Sequence, residues 1–136
     1  MTQVNDFNQQ MIEQFRANGG RLDFGPASLL LLTTTGAKTG RKHLTPLAVF
    51  DDDGRLYVVA SMGGAPRSPA WFHNLVANPT VTVEHGGESY EATASVVPDD
   101  EHDALFARIV ERMPQFGEYQ EKTTRKIPVV GLDRNS

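Results

Sequence analysis

The stretch LLLLTTTGAKTGRK, residues 29–42, joins an apolar run to a basic turn bracketed by two glycines. Four leucines followed by threonines predict a fully buried β-strand over residues 29–34. Gly36 and Gly40 permit backbone angles that a side chain would forbid, so the strand is expected to end there in a turn. Exposed backbone N–H groups and threonine hydroxyls can bind anion oxygens. The stretch therefore predicts an anion-binding turn at the edge of the core, with positive charge from Lys38, Arg41 and Lys42.

This turn does not match the phosphate-binding loop of kinases and ATPases. That motif has four residues between its glycines and then Lys-Ser/Thr, whereas here AKT separates Gly36 from Gly40 and Arg41 follows. The alternative interpretation is a hairpin turn whose basic residues are only solvated.

Composition limits the function classes. A chain of 136 residues with 39% hydrophobic and 22% charged residues fits a single globular domain, residues 1–136. A net charge of -4 argues against a nucleic-acid partner, so the basic turn suits one small anion better than a polyanion. With no cysteine, disulfides, thiol chemistry and cysteine-bound metals are excluded, and electron transfer would need a bound cofactor.

The first twenty residues predict an amphipathic helix rather than a leader. They lack the basic and apolar regions of a signal peptide, and no apolar run reaches the ~18 residues that span a bilayer, so a cytoplasmic location is expected. The helix is expected to end at Asn18-Gly19-Gly20 and to pack on the domain, with membrane or partner contact as the alternative. Its apolar stripe consists of Val4, Phe7, Met11, Ile12 and Phe15.

The remaining periodicity predicts a mainly β fold of the α+β class. Five further strands are expected over residues 43–50, 55–61, 80–85, 88–97 and 127–132. Turns are expected at Gly25-Pro26, at residues 51–54 and at Gly86-Gly87. About six strands in hairpins, with too few helices for a doubly wound sheet, favour a small antiparallel barrel with helices packed outside.

Three more helical segments are predicted between these strands. A glycine-rich loop over residues 61–67 leads to a helix capped by Ser68, with Pro69 at its first position. Acidic residues after Pro98 open a second helix, whose buried stripe is Leu105, Ile109, Val110 and Met113. Pro114 is expected to interrupt it, leaving a short helical or irregular segment that carries Phe116 and Tyr119.

Few side chains suggest chemistry of their own. Trp71 could form the wall of a flat-ring site or simply anchor its helix in the core. The four histidines show no metal-binding spacing, and no serine-nucleophile motif is present. The Tyr119 hydroxyl, in an irregular stretch, could enter a pocket and donate a proton, or lie at the surface.

Taken in order, LLLLTTTGxKxGRK, VASMGG, PAWFHNLxANP and IPVV resemble the deazaflavin-dependent nitroreductase family over residues 24–133. These are actinobacterial proteins with a split β-barrel of the FMN-binding type that use the reduced deazaflavin coenzyme F420. The resemblance implies an oxidoreductase that transfers a hydride to a small-molecule quinone, nitroaromatic or activated enone. Ser61 is then expected to hydrogen-bond the acceptor or ring, and Tyr119 to supply the proton.

The resemblance also implies the cofactor contacts. Those to the phosphate and polyglutamate tail would be Ala37, Lys38, Thr39, Arg41, Lys42, His43, Leu44, Thr45, Pro46, Leu47 and Ala48. Those to the ring would be Val59, Ala60, Ser61, Met62, Ala70, Trp71, Phe72, His73, Asn74 and Phe116.

The chain departs from the family pattern in two places. Some relatives have basic residues at the positions of Ala37 and His43, which shifts tail binding toward Arg41 and Lys42. The best-known member has tyrosines at the positions of Met113 and Phe116, so that only Tyr119 keeps its hydroxyl here. The alternatives are an FMN-dependent oxidoreductase on the same barrel and a carrier that binds F420 without turnover. Whichever function holds, the protein is expected to be a monomer or a homodimer.

Overall fold

The computed structural model describes residues 3–20, 23–24, 27–52 and 54–135, which form four α-helices and seven strands. In chain order these are α1 (Gln3–Ala17), β1 (Asp23–Phe24), β2 (Ala27–Thr35), β3 (Lys42–Asp52), β4 (Arg55–Val59), α2 (Ala70–Ala77), β5 (Thr80–His85), β6 (Glu88–Val96), α3 (Asp99–Arg112), α4 (Gln115–Glu121) and β7 (Val129–Arg134). A single 3₁₀ turn, Met62–Gly64, lies between β4 and α2.

Six of the strands close into an antiparallel barrel. The sheet order is β1-β2-β3-β4-β7-β6-β5, and an additional pairing between β2 and β5 completes the ring. The two-residue β1 lies antiparallel beside the first two residues of β2. The predicted barrel of about six antiparallel strands with flanking helices is therefore confirmed.

The four leucines of β2 are buried on both faces of the sheet. Side chains alternate between the two faces of a strand, so consecutive leucines enter different layers. Leu30 and Leu32 join the cluster inside the barrel, to which all six strands contribute. Leu29 and Leu31 pack outside against Ile12 and Phe15 of α1. The apolar run is continuous because the barrel covers one side of β2 and α1 the other.

A second outer layer is formed by α3 and α4. It packs on the opposite part of the barrel through a cluster that combines strand and helix residues. The strand and loop members of this cluster are Phe50, Tyr57, Val59, Val97, Ile127 and Val129, and the helical members include Leu105, Ile109, Met113 and Phe116. The predicted stripe of α3 is thus buried, with Val110 at its half-buried margin.

The predicted Ser68 cap on α2 is wrong. The helix begins at Ala70 with Pro69 in the N-cap position and no side-chain cap. The Ser68 hydroxyl instead accepts a hydrogen bond from Nη1 of Arg125, 3.3 Å away. A tertiary partner 57 residues distant in sequence therefore takes the group that a local rule assigned to the helix end.

The segment after Pro114 is a helix rather than an irregular stretch. Pro114 has helical backbone angles, φ −57° and ψ −22°, and stands at the N-cap of α4. A proline fits the first turn of a helix because the N–H it lacks would have no partner there. Tyr119 is consequently a half-buried residue of α4.

Some predictions fall on residues outside the described ranges. These are the turn at Gly25-Pro26 and Asp53 of the second turn, together with the side chains of Val4 and Phe7 in α1. The Gly86-Gly87 turn is described and joins β5 to β6 with φ +62° and +86°, as tight hairpin turns require. None of the described helices has both the length and the apolar character needed to span a bilayer.

The end of α1 is fixed against the β5–β6 turn. Gly20 donates its N–H to the carbonyl of Phe15 at 2.9 Å, and its own carbonyl accepts from Gly87 N–H at 3.3 Å. A Cβ at Gly20 would lie only 2.9 Å from the Cα of Gly87, whereas a Cβ at Gly19 would meet nothing within 4 Å. Both glycines have positive φ, so they differ mainly in this close approach.

Replacing each glycine by alanine separates backbone strain from steric fit. Gly19→Ala is expected to lower the free energy of unfolding by about 1 kcal/mol, because alanine is strained at positive φ. Gly20→Ala adds a clash with backbone and is expected to cost about 1–3 kcal/mol more. Urea denaturation of the two variants measures the difference, and equal losses would contradict the docking of α1 on this turn.

Candidate functional site

The turn between β2 and β3 is a compact loop built around Gly36. The Gly36 N–H donates to the carbonyl of Arg41 at 2.7 Å, and the Gly36 carbonyl accepts from Gly40 N–H at 3.0 Å. A Cβ at Gly36 would lie 2.7 Å from Oγ1 of Thr39 and 3.1 Å from Nε2 of His43. Only glycine lets these two side chains close over the turn, which presents Lys38, Thr39 and Arg41 to solvent.

A buried asparagine joins this turn to helix α2. Asn74 Oδ1 accepts the N–H of Ala37 at 3.0 Å, and its Nδ2 donates to Oγ1 of Thr34 at 3.3 Å. One turn further along, Nδ2 of Asn78 donates to the carbonyl of Thr35 at 3.3 Å. The amide of Asn74 therefore fixes the basic turn relative to the helix that carries Trp71, whereas the amide of Asn78 joins the end of that helix to the last residue of β2.

The turn and α2 enclose an open cavity of about 800 Å³. Its size is within the range of small-molecule and cofactor sites. One wall comes from the turn and the start of β3, and the other comes from the first half of α2. The lining residues are Gly36, Ala37, Lys38, Thr39, His43, Leu44, Thr45, Ala70, Trp71, His73 and Asn74.

The cations of the turn have no acidic partners among the described residues. Lys42 Nζ donates to the hydroxyl of Thr35 at 2.8 Å, and Lys38 and Arg41 are exposed. Elsewhere on the surface, arginines are neutralised by carboxylates at 2.6–3.1 Å, in the pairs Arg16–Glu84, Arg55–Asp133, Arg108–Asp52 and Arg134–Glu88. The positive charge at the cavity mouth is therefore left available to a ligand, although the chain as a whole carries −4.

The structure gathers ten of the predicted cofactor contacts into this cavity and leaves the others outside its described lining. The ten are Ala37, Lys38, Thr39, His43, Leu44, Thr45, Ala70, Trp71, His73 and Asn74. Arg41 and Lys42 flank it on the turn, Pro46, Leu47 and Ala48 continue along β3, and Phe72 packs against the barrel interior. Trp71 is 8% exposed and serves both as a member of the interior cluster and as a wall of the cavity.

The predicted ring contacts after β4 form a separate, strained loop. Ala60 and Ser61 are buried, whereas Met62 is 52% exposed and has φ +48°, which is unusual for a residue with a side chain. Backbone strain of this kind is concentrated at functional sites. The loop lies close to α4 at Gly64, whose φ is +88° and where a Cβ would lie 2.8 Å from the carbonyl oxygen of Tyr119.

Tyr119, the predicted proton donor, lies on α4, which borders this loop at Gly64. Tyr119 makes an edge-to-face contact with Phe116, with ring centroids 5.7 Å apart, and Lys122 Nζ lies 5.9 Å from its ring centre. Phe116 is buried in the outer cluster. The loop from Ala60 to Gly64 is thus bordered by α4, which brings Ser61 and Tyr119 into neighbouring elements.

The resolved pKa shifts lie away from the cavity. A hydrogen bond from His102, with a second from Lys126, holds the pKa of Asp103 below its ordinary value. Burial raises the pKa of Tyr90 on β6. His102 is itself buried, and its Nε2 lies 2.6 Å from the carbonyl oxygen of Ile127. Within the described ranges, no cluster of three or more His, Asp or Glu residues could hold a metal ion.

Arg125 reaches this site without any signal in the sequence pattern. This half-buried residue reaches the loop between β4 and α2 and hydrogen-bonds its backbone. A lone arginine two residues before an apolar segment carries no local signal for such a role, because its partners are about 60 residues away.

The chain is similar to known proteins over most of its length. The chain is 40% identical over 128 residues to an F420H(2)-dependent quinone reductase of Mycobacterium tuberculosis, covering 88% of this chain and 85% of that protein. The solved structure of an F420-H2 dependent reductase superposes with a TM-score of 0.70 at 40% identity, covering 77% of this chain and 93% of the other. A second solved structure, a domain-swapped dimer, has a TM-score of 0.74 at 35% identity and covers 96% and 99% of the two chains.

The family model for F420H(2)-dependent quinone reductase matches residues 6–134. This match spans nearly the whole chain and includes the basic turn, the loop after β4 and both α2 and α4. The resemblance inferred from the sequence is therefore confirmed, and the chain belongs to the F420H(2)-dependent quinone reductase family.

Proposed function

We propose that this protein binds reduced coenzyme F420 and passes its hydride to a quinone or an activated enone. The observation that carries the proposal is the pair of unneutralised cations, Lys38 and Arg41, at the mouth of a cavity of about 800 Å³ walled by Trp71. An anionic tail and a flat ring need these two surfaces next to each other. Coenzyme F420 is the cofactor of the family, and its phosphate and polyglutamate tail has the required charge.

The residues present fit this coenzyme. Lys38, Arg41 and the exposed His43 would hold the tail, assisted by the hydroxyl of Thr39 and by Lys42. The deazaflavin ring would be bordered by Ala70 and Trp71 and by Met62 of the loop after β4. When bound, the reduced deazaflavin supplies the hydride and the protein needs no covalent step of its own.

The protein is proposed to position the coenzyme and the acceptor, to polarise the acceptor and to protonate it. The Ser61 hydroxyl is proposed to hydrogen-bond the acceptor carbonyl or the ring, stabilising negative charge as it develops. Tyr119 is proposed to deliver the proton that completes reduction, since it lies on the helix that borders the Ser61 loop. Burial of Trp71 and Ser61 would help to exclude water.

The proposed acceptor preference rests on the segment from Met113 to Tyr119. Met113 and Phe116 are buried in the outer cluster and carry no hydroxyl, which leaves Tyr119 as the tyrosine of this segment. One hydroxyl suffices to protonate a quinone or an enone. We therefore propose quinones and enones as the preferred acceptors and nitroaromatics as weaker ones.

The direct experiment mixes the protein with reduced F420 and a panel of quinones, enones and nitroaromatics. Return of the deazaflavin absorbance, dependent on protein and acceptor, is the expected result. Saturable binding without any oxidation would instead indicate a carrier. A lack of saturable binding in calorimetry would rule out the proposal, and a preparation that purifies yellow with FMN would favour the flavin alternative.

Removing one cation of the turn tests tail binding. Lys38→Ala is expected to weaken coenzyme binding by about threefold to tenfold, the size of one exposed charge-assisted contact, and by less at high salt. The matched control is Lys126→Ala, because Lys126 is also exposed but pairs with Asp103 at 3.2 Å. Titration calorimetry measures both, and equal affinities for the two variants would contradict a tail site at the turn.

Removing the Asn74 amide tests whether the turn must be held on α2. Asn74→Ala leaves the Ala37 N–H and the Thr34 hydroxyl without their partner and is expected to cost about 1–3 kcal/mol of stability. It should also weaken coenzyme binding, because the turn is no longer fixed against Trp71. Asn78→Ala is the control, since it removes a similar bond outside the cavity lining. Wild-type affinity in folded Asn74→Ala would refute this role.

Removing one hydroxyl tests proton delivery. Tyr119→Phe is expected to lower turnover by about a hundredfold with coenzyme affinity unchanged, the usual effect of losing a general acid. Tyr90→Phe serves as the control, because Tyr90 lies on β6 with its ring against Arg134. Stopped-flow absorbance measures the rate, and unchanged turnover in Tyr119→Phe would exclude the hydroxyl as the proton donor.

A further inference from the structure

The guanidinium of Arg125 binds the whole loop between β4 and α2. Its Nη2 donates to the carbonyls of Ala60 at 3.1 Å and Ser61 at 3.0 Å. Its Nε donates to the carbonyl of Ala65 at 2.9 Å, and its Nη1 donates to the Ser68 hydroxyl at 3.3 Å. All three nitrogens of the guanidinium thus donate to a single loop, in four hydrogen bonds.

The backbone of Arg125 is fixed to the end of α4. Its carbonyl accepts from Nε2 of Gln120 at 2.7 Å, and its N–H donates to Oγ1 of Thr123 at 3.3 Å. Oε1 of Gln120 accepts the N–H of Ile127 at 3.0 Å. Arg125 therefore connects α4, to which its backbone is bonded, with the loop, to which its guanidinium is bonded.

The guanidinium of Arg125 is bonded to backbone carbonyl oxygens rather than to a carboxylate. In the part of the chain that the structure describes, Arg125 makes no ion pair, and its charge faces the carbonyls of Ala60, Ser61 and Ala65. A planar guanidinium can reach such divergent acceptors at once, whereas a lysine ammonium is a point donor on a flexible chain. The bonding pattern accordingly requires arginine rather than positive charge alone.

The loop held in this way carries or adjoins each part of the proposed ring site. Ser61 and the strained Met62 lie within it, and Ser68 leads directly into the first turn of α2, which holds Trp71. On its other side, Gly64 lies against the Tyr119 carbonyl. One side chain thereby sets the spacing between the proposed hydrogen-bond donor, the ring wall and the proton donor.

We propose that Arg125 is a positioning residue that holds the Ser61 loop and the start of α2 at the distance from Tyr119 that hydride and proton delivery require. This inference rests on the proposed function. Arg125 does not line the basic turn, so its loss should change the reacting geometry rather than the tail contacts. A small displacement of reacting groups is costly, and about 1 Å can lower a rate by a hundredfold.

The first arm of the test needs no coenzyme. Hydrogen exchange of the free protein is measured for Arg125→Ala and for Arg112→Ala. Arg112 is a matched control because its guanidinium also donates to a backbone carbonyl, that of Asp51 at 3.1 Å, which belongs to β3 and not to the loop. Arg125→Ala is expected to raise exchange over residues 61–68 by about tenfold or more while the barrel strands stay protected. Unchanged exchange in this loop would overturn the proposal.

The second arm separates turnover from binding. In Arg125→Ala, kcat is expected to fall by about ten- to a hundredfold while the dissociation constant for F420 changes by no more than about threefold. Arg125→Lys should keep the charge but not the rate, and added guanidinium ion, below denaturing concentrations, should restore part of the activity of Arg125→Ala. A lysine variant with full activity, or equal losses of affinity and rate, would overturn the positioning role.

The two arms distinguish failure of the inference from failure of the proposed function. If the wild-type protein neither binds nor oxidises reduced F420, the proposed function fails, and with it the positioning role of Arg125 in the reaction, whatever the exchange data show. If the wild type is active and Arg125→Ala keeps its kcat, the inference alone fails. A folded Arg112→Ala variant with wild-type kinetics completes the expected pattern.

Discussion

Burial of β2 on both of its faces is the constraint on which the rest of the structure depends. Leu30 and Leu32 fill the barrel, and Leu29 and Leu31 lie beneath α1, with none of the four more than 4% exposed. Full burial of each such side chain contributes about 1.5–3 kcal/mol, so the register of β2 cannot slip without reversing both faces. The position of the basic turn follows directly, because that turn begins where β2 ends.

The candidate site combines this fixed turn with a charge imbalance. The cations of residues 38–42 have no acidic partners among the described residues, while four other arginines form ion pairs at 2.6–3.1 Å. Such an arrangement is unfavourable for the free protein and favourable once an anion binds. The amide of Asn74 connects the charged wall to the aromatic wall, so the relative position of these two surfaces depends on one buried side chain.

Local patterns predicted the parts of this structure that depend on neighbouring residues. The alternation in the strands, the Gly86-Gly87 turn and the acidic start of α3 all follow from residues within one element. Closure of the barrel through β2 and β5 could not be predicted in this way, because its partners, such as Leu32 and Val83, are about fifty residues apart. The Ser68 cap failed for the same reason, since its true partner is the distant Arg125. The residue pattern alone indicates the basic turn, Trp71 and Tyr119, whereas the other cofactor contacts follow from the family resemblance. The roles of all these residues stay predictions.

The pairing that closes the barrel has a consequence for how the structure can open locally. The seam between β2 and β5 is short and joins strands remote in sequence, through the pairs Leu31–Glu84, Leu32–Val83 and Thr33–Thr82. Helix α1 contacts both of these strands. Its Phe15 packs on β2, and its Arg16 forms an ion pair with Glu84 of β5 at 3.1 Å. Release of α1 would uncover this pairing, so we expect release of the N-terminal helix and opening of the barrel to be coupled. Any contact that captured the apolar face of α1 would therefore also loosen the strand that ends at the basic turn.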